Sequence, residues 1–151
     1  MRKILPIILI VAVLVACFVM GVFEGRSEDA LSISFYVEDN PGFSDYAAEI
    51  LFDHTALTLT DITGGEKTKG LFYKNIDGCV AGTMNGTDIT GDGVLLTASF
   101  QVIDESVAGK YKVSANVYSC YNEKGEEVAL SVPDVYVTIA GDGSVSVEGI
   151  E

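Results

Sequence analysis

The stretch Leu31-Ser32-Ile33-Ser34-Phe35-Tyr36-Val37 decides the fold class. Its apolar residues fall at every second position, the period of a half-buried strand and not that of a helix turn. Downstream, Ala48, Ile50 and Phe52 repeat at the same spacing, and Leu57-Thr58-Leu59-Thr60-Asp61-Ile62 continues it. Further strand-like runs follow at Leu71–Tyr73, Cys79–Thr83, Val94–Ile103, Tyr111–Tyr121, Glu127–Leu130, Val135–Ala140 and Ser144–Val147. Asn-Pro-Gly, Gly-Gly, Asp-Gly, Asn-Gly and Glu-Lys-Gly turns separate the runs. No segment after Phe23 holds a helical period of apolar residues, which excludes βαβ architectures. The pattern predicts an all-β fold of about nine or ten short strands, arranged as an antiparallel sandwich or jelly roll. The chain has no tryptophan, so the antibody-like version of the sandwich, with its ring between paired cysteines, loses ground.

Upstream of this pattern the composition changes. Arg2 and Lys3 precede an uninterrupted apolar run from Ile4 to Phe23, and Glu24 ends it. A helix needs about 20 such residues to cross a bilayer, so one N-terminal apolar helix is expected ahead of the sandwich. The positive flank lies on its N-terminal side, which puts the remainder outside the cytoplasm. Leu14-Val15-Ala16-Cys17 offers a second reading, a lipobox with Cys17 as the lipidated residue, and a cleaved signal is the third. The apolar run continues past Cys17 through Phe23, which favours the uncleaved anchor. All three readings export the domain. Residues 1–26 are therefore read as a membrane anchor or signal segment, and residues 27–151 as the domain, held on the extracellular side of the cell membrane through residues 4–23.

Charge and residue counts remove several functions. Nine Lys+Arg stand against 22 Asp+Glu, a net charge of −13, which repels phosphate backbones and leaves no basic stripe for nucleic acid. The single histidine, His54, leaves few routes to zinc or to a Ser/His or Cys/His nucleophile. The sequence contains no HExxH, GxSxG or phosphate-cradling glycine loop. No cofactor and no catalytic residue are assigned. In an oxidising compartment Cys79 and Cys120 form an even pair, open to a disulfide or to two separate thiols packed as small hydrophobes.

Three stretches carry a more specific pattern: Asn40-Pro41-Gly42-Phe43 leading to Ile50-Leu51-Phe52-Asp53 and Leu57-Thr58-Leu59; Gly91-Asp92-Gly93-Val94 with its strand to Val102, followed by Ala108-Gly109-Lys110-Tyr111; and the closing Val137-Thr138-Ile139 with Gly143-Ser144-Val145-Ser146-Val147. In order and spacing they resemble the cohesin family over about Leu31 to Val147. The resemblance implies an antiparallel jelly-roll β-sandwich of about nine strands, without catalysis. Cohesins are surface or scaffold modules that grip dockerin modules on secreted, typically polysaccharide-degrading enzymes, and their fold is close to that of carbohydrate-binding modules. The family's recognition positions fall here on Asp45, Ala47 and Glu49, outward on the strand that precedes Phe52-Asp53, with Tyr73 as the nearby aromatic. Alanine stands at position 47 where the family often has an acid or amide. The short loop around Asn85 is a further candidate for partner contact. A carbohydrate-binding module is the alternative, weakened by the missing tryptophan.

Two other motifs have plain explanations. Asp88-Ile89-Thr90-Gly91-Asp92-Gly93 begins like a calcium loop, yet its twelfth position is Ser99 and no bidentate acid closes it, so a turn into a core strand is expected. Asp53-His54 is read as a turn and not as an acid–base pair. Asn85-Gly86-Thr87 fits a glycosylation sequon by pattern and an Asn-Gly turn more simply.

Overall fold

The computed structural model describes residues 30–149 apart from 69, 76, 85 and 104–107. The expected N-terminal helix, the span over residues 4–23, the lipidation candidate Cys17 and the loop residue Asn85 lie outside the described residues. The described chain contains nine strands: β1 Leu31–Val37, β2 Asp45–Leu51, β3 Leu57–Gly64, β4 Leu71–Lys74, β5 Cys79–Thr83, β6 Gly93–Val102, β7 Gly109–Tyr121, β8 Val135–Ile139 and β9 Val145–Glu148. A three-stranded sheet runs β1-β6-β3 and a six-stranded sheet runs β4-β5-β2-β7-β8-β9, with every pairing antiparallel. The all-β antiparallel sandwich read from alternation is observed, in the nine-stranded jelly-roll form that the resemblance implies.

The two sheets close on one core. Ile33, Phe35 and Val37 from β1, Leu96, Ala98 and Phe100 from β6, and Leu57 and Ile62 from β3 form one layer. Tyr46, Ala48 and Ile50 from β2, Val80 from β5, Val113 and Ala115 from β7, and Val137 and Ile139 from β8 form the other. Three bulges adjust this packing. Leu95 is skipped between the pairs Phe35–Leu96 and Tyr36–Val94, so the neighbours Leu95 and Leu96 are both buried. Thr60 is skipped between Leu59–Phe100 and Asp61–Ser99, which brings Leu57 and Ile62, of opposite parity in the sequence, to the same interior. Its Oγ1 donates to Ser99 O at 3.0 Å. Tyr118 is skipped between Ala47–Ser119 and Ala48–Val117.

The strand expected over Glu127–Leu130 is not formed. Only a bridge from Tyr121 to Glu127 and a bond from Val128 N–H to Cys120 O, 3.0 Å, attach this segment to β7. It then crosses towards the other sheet, where Ser131 O accepts from Glu38 N–H at 2.9 Å. Its alternating Val128, Leu130 and Val132 pack half-buried against the core from the end of the sandwich, so the apolar period is that of a crossing strap and not of a ladder.

Two of the turn motifs quoted above form a single joint. Asn40 Oδ1 accepts from Gly42 N–H at 2.9 Å, while Asn40 Nδ2 donates to Ile89 O at 3.2 Å and Gly91 O at 2.9 Å. Asn40 N–H in turn donates to Asp92 Oδ1 at 3.0 Å. Gly42, at φ 95°, supplies the left-handed step after Pro41. Asn-Pro-Gly and Gly-Asp-Gly therefore occur together because one amide side chain stitches the first turn to the second.

Among the described residues β9 pairs with β8 alone, and its four residues are all exposed. Val145 and Val147, on the side where β8 buries Ile139 and Val137, remain 39% and 42% exposed.

Candidate protein-binding face

The outward side of the six-stranded sheet collects the residues singled out on β2. Strand alternation buries Tyr46, Ala48 and Ile50 and turns Asp45, Ala47 and Glu49 outward, as expected. Register extends these positions into rows across β4-β5-β2-β7. One row reads Leu71, Thr83, Asp45, Tyr121; the next reads Tyr73, Ala81, Ala47, Ser119; a third reads Cys79, Glu49, Asn116. Tyr73 thus shares a row with Ala47 and is 60% exposed. Four of the five expected positions are brought together on one face; Asn85, the fifth, is outside the described residues.

The shape follows from the small residues. Ala81 and Ala47 make a low floor on the two central strands, bounded by Tyr73 on β4 and by Tyr118 and Tyr121 on β7. From β4 to β7, backbone to backbone, three strand spacings make about 14 Å, with the two alanine strands between the bounding tyrosines. Leu71, Tyr118 and Tyr121 are 52%, 59% and 42% exposed. These three aromatic and aliphatic residues were not readable as part of the face. The bulge at Tyr118 breaks the alternation of β7, and Leu71 gains significance only through its pairing to Thr83.

Rigid support lies beneath. A Cβ on Gly82 would meet Tyr46 Cε1 at 2.3 Å, so glycine there lets the Tyr46 ring pass under β5. The Tyr46 hydroxyl shares a 3.0 Å hydrogen bond with Thr68 Oγ1, and burial pushes its pKa up to about 12. Phe43 packs edge-on against Tyr46 at 5.8 Å between centroids.

Charge in the described rows has one sign. The three rows hold the carboxylates of Asp45 and Glu49 and no lysine or arginine. Ser44 Oγ donates to Asp45 Oδ2 at 2.6 Å. Cations begin lower on the sheet, where Lys112 pairs with Asp134 at 2.7 Å. The hydrogen bonds from Lys112 and from Ser114 hold the Asp134 carboxyl below its ordinary range. That pair lines a cleft of about 290 Å³ between β7 and the strap, together with Leu51, Ser114, Asn116, Val117 and Leu130 among others.

The disulfide reading is corrected by the register. Cys79 pairs with Glu49 on the outward face, whereas Cys120 pairs with Tyr46 and is buried. Two thiols on opposite sides of one sheet cannot meet, and both are free. Burial, reinforced by the nearby Asp45 and Asp88 carboxylates, pushes the Cys120 thiol up to about 12.

The remaining motifs are turns. Asp53 Oδ1 accepts from Thr55 N–H at 2.8 Å and from Thr55 Oγ1 at 2.7 Å, and His54 stacks at 4.2 Å on Phe52. In the Asp88–Gly93 loop the carboxylates diverge: Asp88 Oδ1 accepts from Glu123 N–H at 2.6 Å and Asp92 Oδ1 from Asn40 N–H. They cap backbone amides at two separate places.

No family model and no curated protein matches the sequence. Solved structures do match the fold. A non-cellulosomal cohesin from the hyperthermophilic archaeon Archaeoglobus fulgidus superposes with a TM-score of 0.55 at 17% identity, over 66% of this chain and 72% of that one. The OlpC cohesin, from a type I cohesin–dockerin complex of Clostridium thermocellum, gives 0.58 at 15% identity over 73% and 85%. The third ScaC cohesin of Acetivibrio cellulolyticus, solved with the ScaB dockerin, gives 0.53 at 22% over 69% and 83%. With nine strands in two antiparallel sheets and these neighbours, the chain has a cohesin-like fold.

Proposed function

We propose that this chain is a non-catalytic binding module that engages a dockerin-type protein through the β4-β5-β2-β7 face. The observation that carries the reading is the row Tyr73, Ala81, Ala47, Ser119: a low floor of small residues on the two central strands, with an exposed aromatic at its side. Structures with this fold include cohesins solved together with dockerins. The carboxylates of Asp45 and Glu49, with no cation in those rows, select a partner that presents lysine or arginine. Residues 4–23 tether the module to the membrane, and the domain beyond residue 26 works on the extracellular side, where secreted partners are met. Protease applied to intact cells digests the domain under this reading; protection of it would refute the orientation.

The binding test is a pull-down from culture supernatant, followed by titration of the captured protein. Tyr73→Ala removes a hot spot of about 2 kcal/mol. Reversal of Asp45 and Glu49 to Lys slows association, more at low salt than at high. Tyr73→Ala should melt like the parent, because its side chain points to solvent, while the double reversal loses the Ser44–Asp45 hydrogen bond and is melted alongside its titration to separate binding from stability. Normal binding by both would remove this face from consideration. Capture of polysaccharide and of no protein would favour the carbohydrate-binding alternative, with Tyr73, Tyr118 and Tyr121 as the stacking surface.

A further inference from the structure

The cleft between β7 and the strap is held open by the chain on both sides. β8 pairs with β7 only as far as Val113↔Val135, and the strap touches β7 again where Val128 N–H donates to Cys120 O at 3.0 Å. Between these two anchors the strap stands off from β7, so the space of about 290 Å³ is preformed. Only Lys112 and Asp134 carry charge among its described lining residues, and they cancel, meeting at 2.7 Å. The buried Ser114 donates to the same carboxylate. An ammonium has three donors and a carboxylate about four acceptor sites, so both groups keep capacity beyond their mutual bond. Beside them stands the exposed Asn116, whose carboxamide is hydrogen-bonded to no described residue. Leu51, Leu130 and Val132 add aliphatic wall. A second cavity, about 180 Å³ beside β3, has its polar groups already spent: Lys74 Nζ is taken by Asp61 and Ile62 O, and Asn75 Oδ1 accepts from Asp77 and Cys79 N–H.

We infer that this cleft holds one neutral pyranose ring, as a free sugar or as one unit of a glycan. A sugar hydroxyl both donates and accepts, and the lining offers donors and acceptors side by side. One hydroxyl accepts from Lys112 Nζ while donating to the Asp134 carboxylate, and its neighbour on the ring exchanges bonds with the Asn116 carboxamide. The C–H side of the ring then covers Leu51, Leu130 and Val132, which removes apolar surface from water. Charged ligands fit less well. An anion meets Asp134 in a chain of net charge −13, and a cation has to displace Lys112 from its partner. The volume lies at the lower end of small-molecule sites, which suits a single ring. The cleft borders the protein-binding floor through Asn116, which ends the row of Glu49, and it contains none of the exposed tyrosines. It therefore stands independently of the dockerin-type partner. Few contacts at an open site give weak binding, with a Kd on the order of 1 mM.

The test uses the full chain in lipid nanodiscs, free of sugar-headed detergent, with the methyl glycosides of glucose, galactose and mannose as probes. Saturation-transfer NMR should show transfer to the ring protons of at least one of them. Asn116→Leu, which keeps the size of the side chain and deletes its donor and acceptor, should cut that transfer several-fold, and so should Lys112→Met. Lys110→Ala, two residues along β7 and outside the cleft, should leave it unchanged. Melting curves on each variant check that the domain is folded. The matching tetrasaccharide separates the two sources of the ring: several-fold tighter binding than the methyl glycoside assigns the cleft to a glycan chain, and equal binding assigns it to a single unit. Absence of transfer to all three glycosides, or equal transfer to the parent and Asn116→Leu, would overturn the inference. So would transfer lost in Tyr118→Ala and kept in Asn116→Leu, which would place the sugar on the tyrosines instead.

Discussion

Replacement of Asn40 by Ala tests whether the joint between the Asn-Pro-Gly turn and the Gly-Asp-Gly turn holds the sandwich together. The variant loses three side-chain hydrogen bonds, to Gly42 N–H, Ile89 O and Gly91 O. The bonds to Gly42 and Ile89 are part-buried and contribute about 1 kcal/mol each, and the exposed one to Gly91 roughly half of that. Ile89 O keeps its bond from Phe43 N–H at 3.2 Å, whereas Gly42 N–H loses its acceptor. The expected loss is about 2–3 kcal/mol, a fall in Tm of roughly 8–12 °C for a domain of this size. Urea denaturation of residues 27–151, expressed without the apolar segment, measures it. Asn40→Asp provides the sharper comparison. It still accepts from Gly42 but sets a carboxylate against the carbonyls of Ile89 and Gly91, so at neutral pH it should be at least as unstable as Asn40→Ala. Protonation relieves that contact, so it should regain stability as the solution is acidified. If Asn40→Ala unfolds within about 0.5 kcal/mol of the parent, the two motifs are neighbours without being a joint, and the reasoning fails.

Two further outcomes follow from the thiols and the carboxylates. In native protein a small alkylating reagent should modify Cys79 and leave Cys120 unmodified until denaturant is added, and intact mass should show both as thiols; a bridged product would contradict the register. Asp53, Asp61, Asp134 and Asp142 all have carboxyl pKa values lowered by hydrogen bonds, from Thr55, Lys74, Lys112 and Ser144 respectively. A lowered folded-state value gives stability that is present above the ordinary carboxyl value of 3.8 and lost as pH falls through the folded-state values. Melting temperature should therefore fall below about pH 4, with the fall reduced in Asp134→Asn; a midpoint that declines already between pH 7 and pH 5 would point to other groups.

Much of the fold was legible because alternation is a local property. β1, β5 and the inward residues of β2 lie where the apolar period put them. Bulges were the main thing hidden. A residue skipped at Thr60 or Tyr118 breaks the period in sequence yet preserves the sheet, and the compensation depends on the opposing strand. Glu127–Leu130 misled in the opposite sense, because a strap that crosses between sheets buries alternate residues without a ladder. The site divided in the same way. Asp45, Ala47 and Glu49 could be placed from one strand's alternation, while Tyr121, Leu71 and Tyr118 became their neighbours only through pairings with residues far along the chain. The cysteines show the limit most simply: their number suggested a bridge, and which side of the sheet each occupies is a matter of register.

The terminal strand carries a last consequence. Val145 and Val147 lie beyond the reach of the smaller sheet and stay largely wet, so β9 is held by one ladder and by the Lys110–Glu148 pair at 2.7 Å. Such an element opens at a small fraction of the global unfolding free energy. Its amide hydrogens should exchange with solvent well before those of β2, β5 and β6, and the molecule then has two tiers of motion: a hairpin at one border that breathes freely, and a central slab that opens only when everything does. Asp45, Ala47 and Glu49 stand on the second tier, on β2 between β5 and β7. Fluctuation at the chain's end can thus proceed without disturbing the geometry a partner would meet.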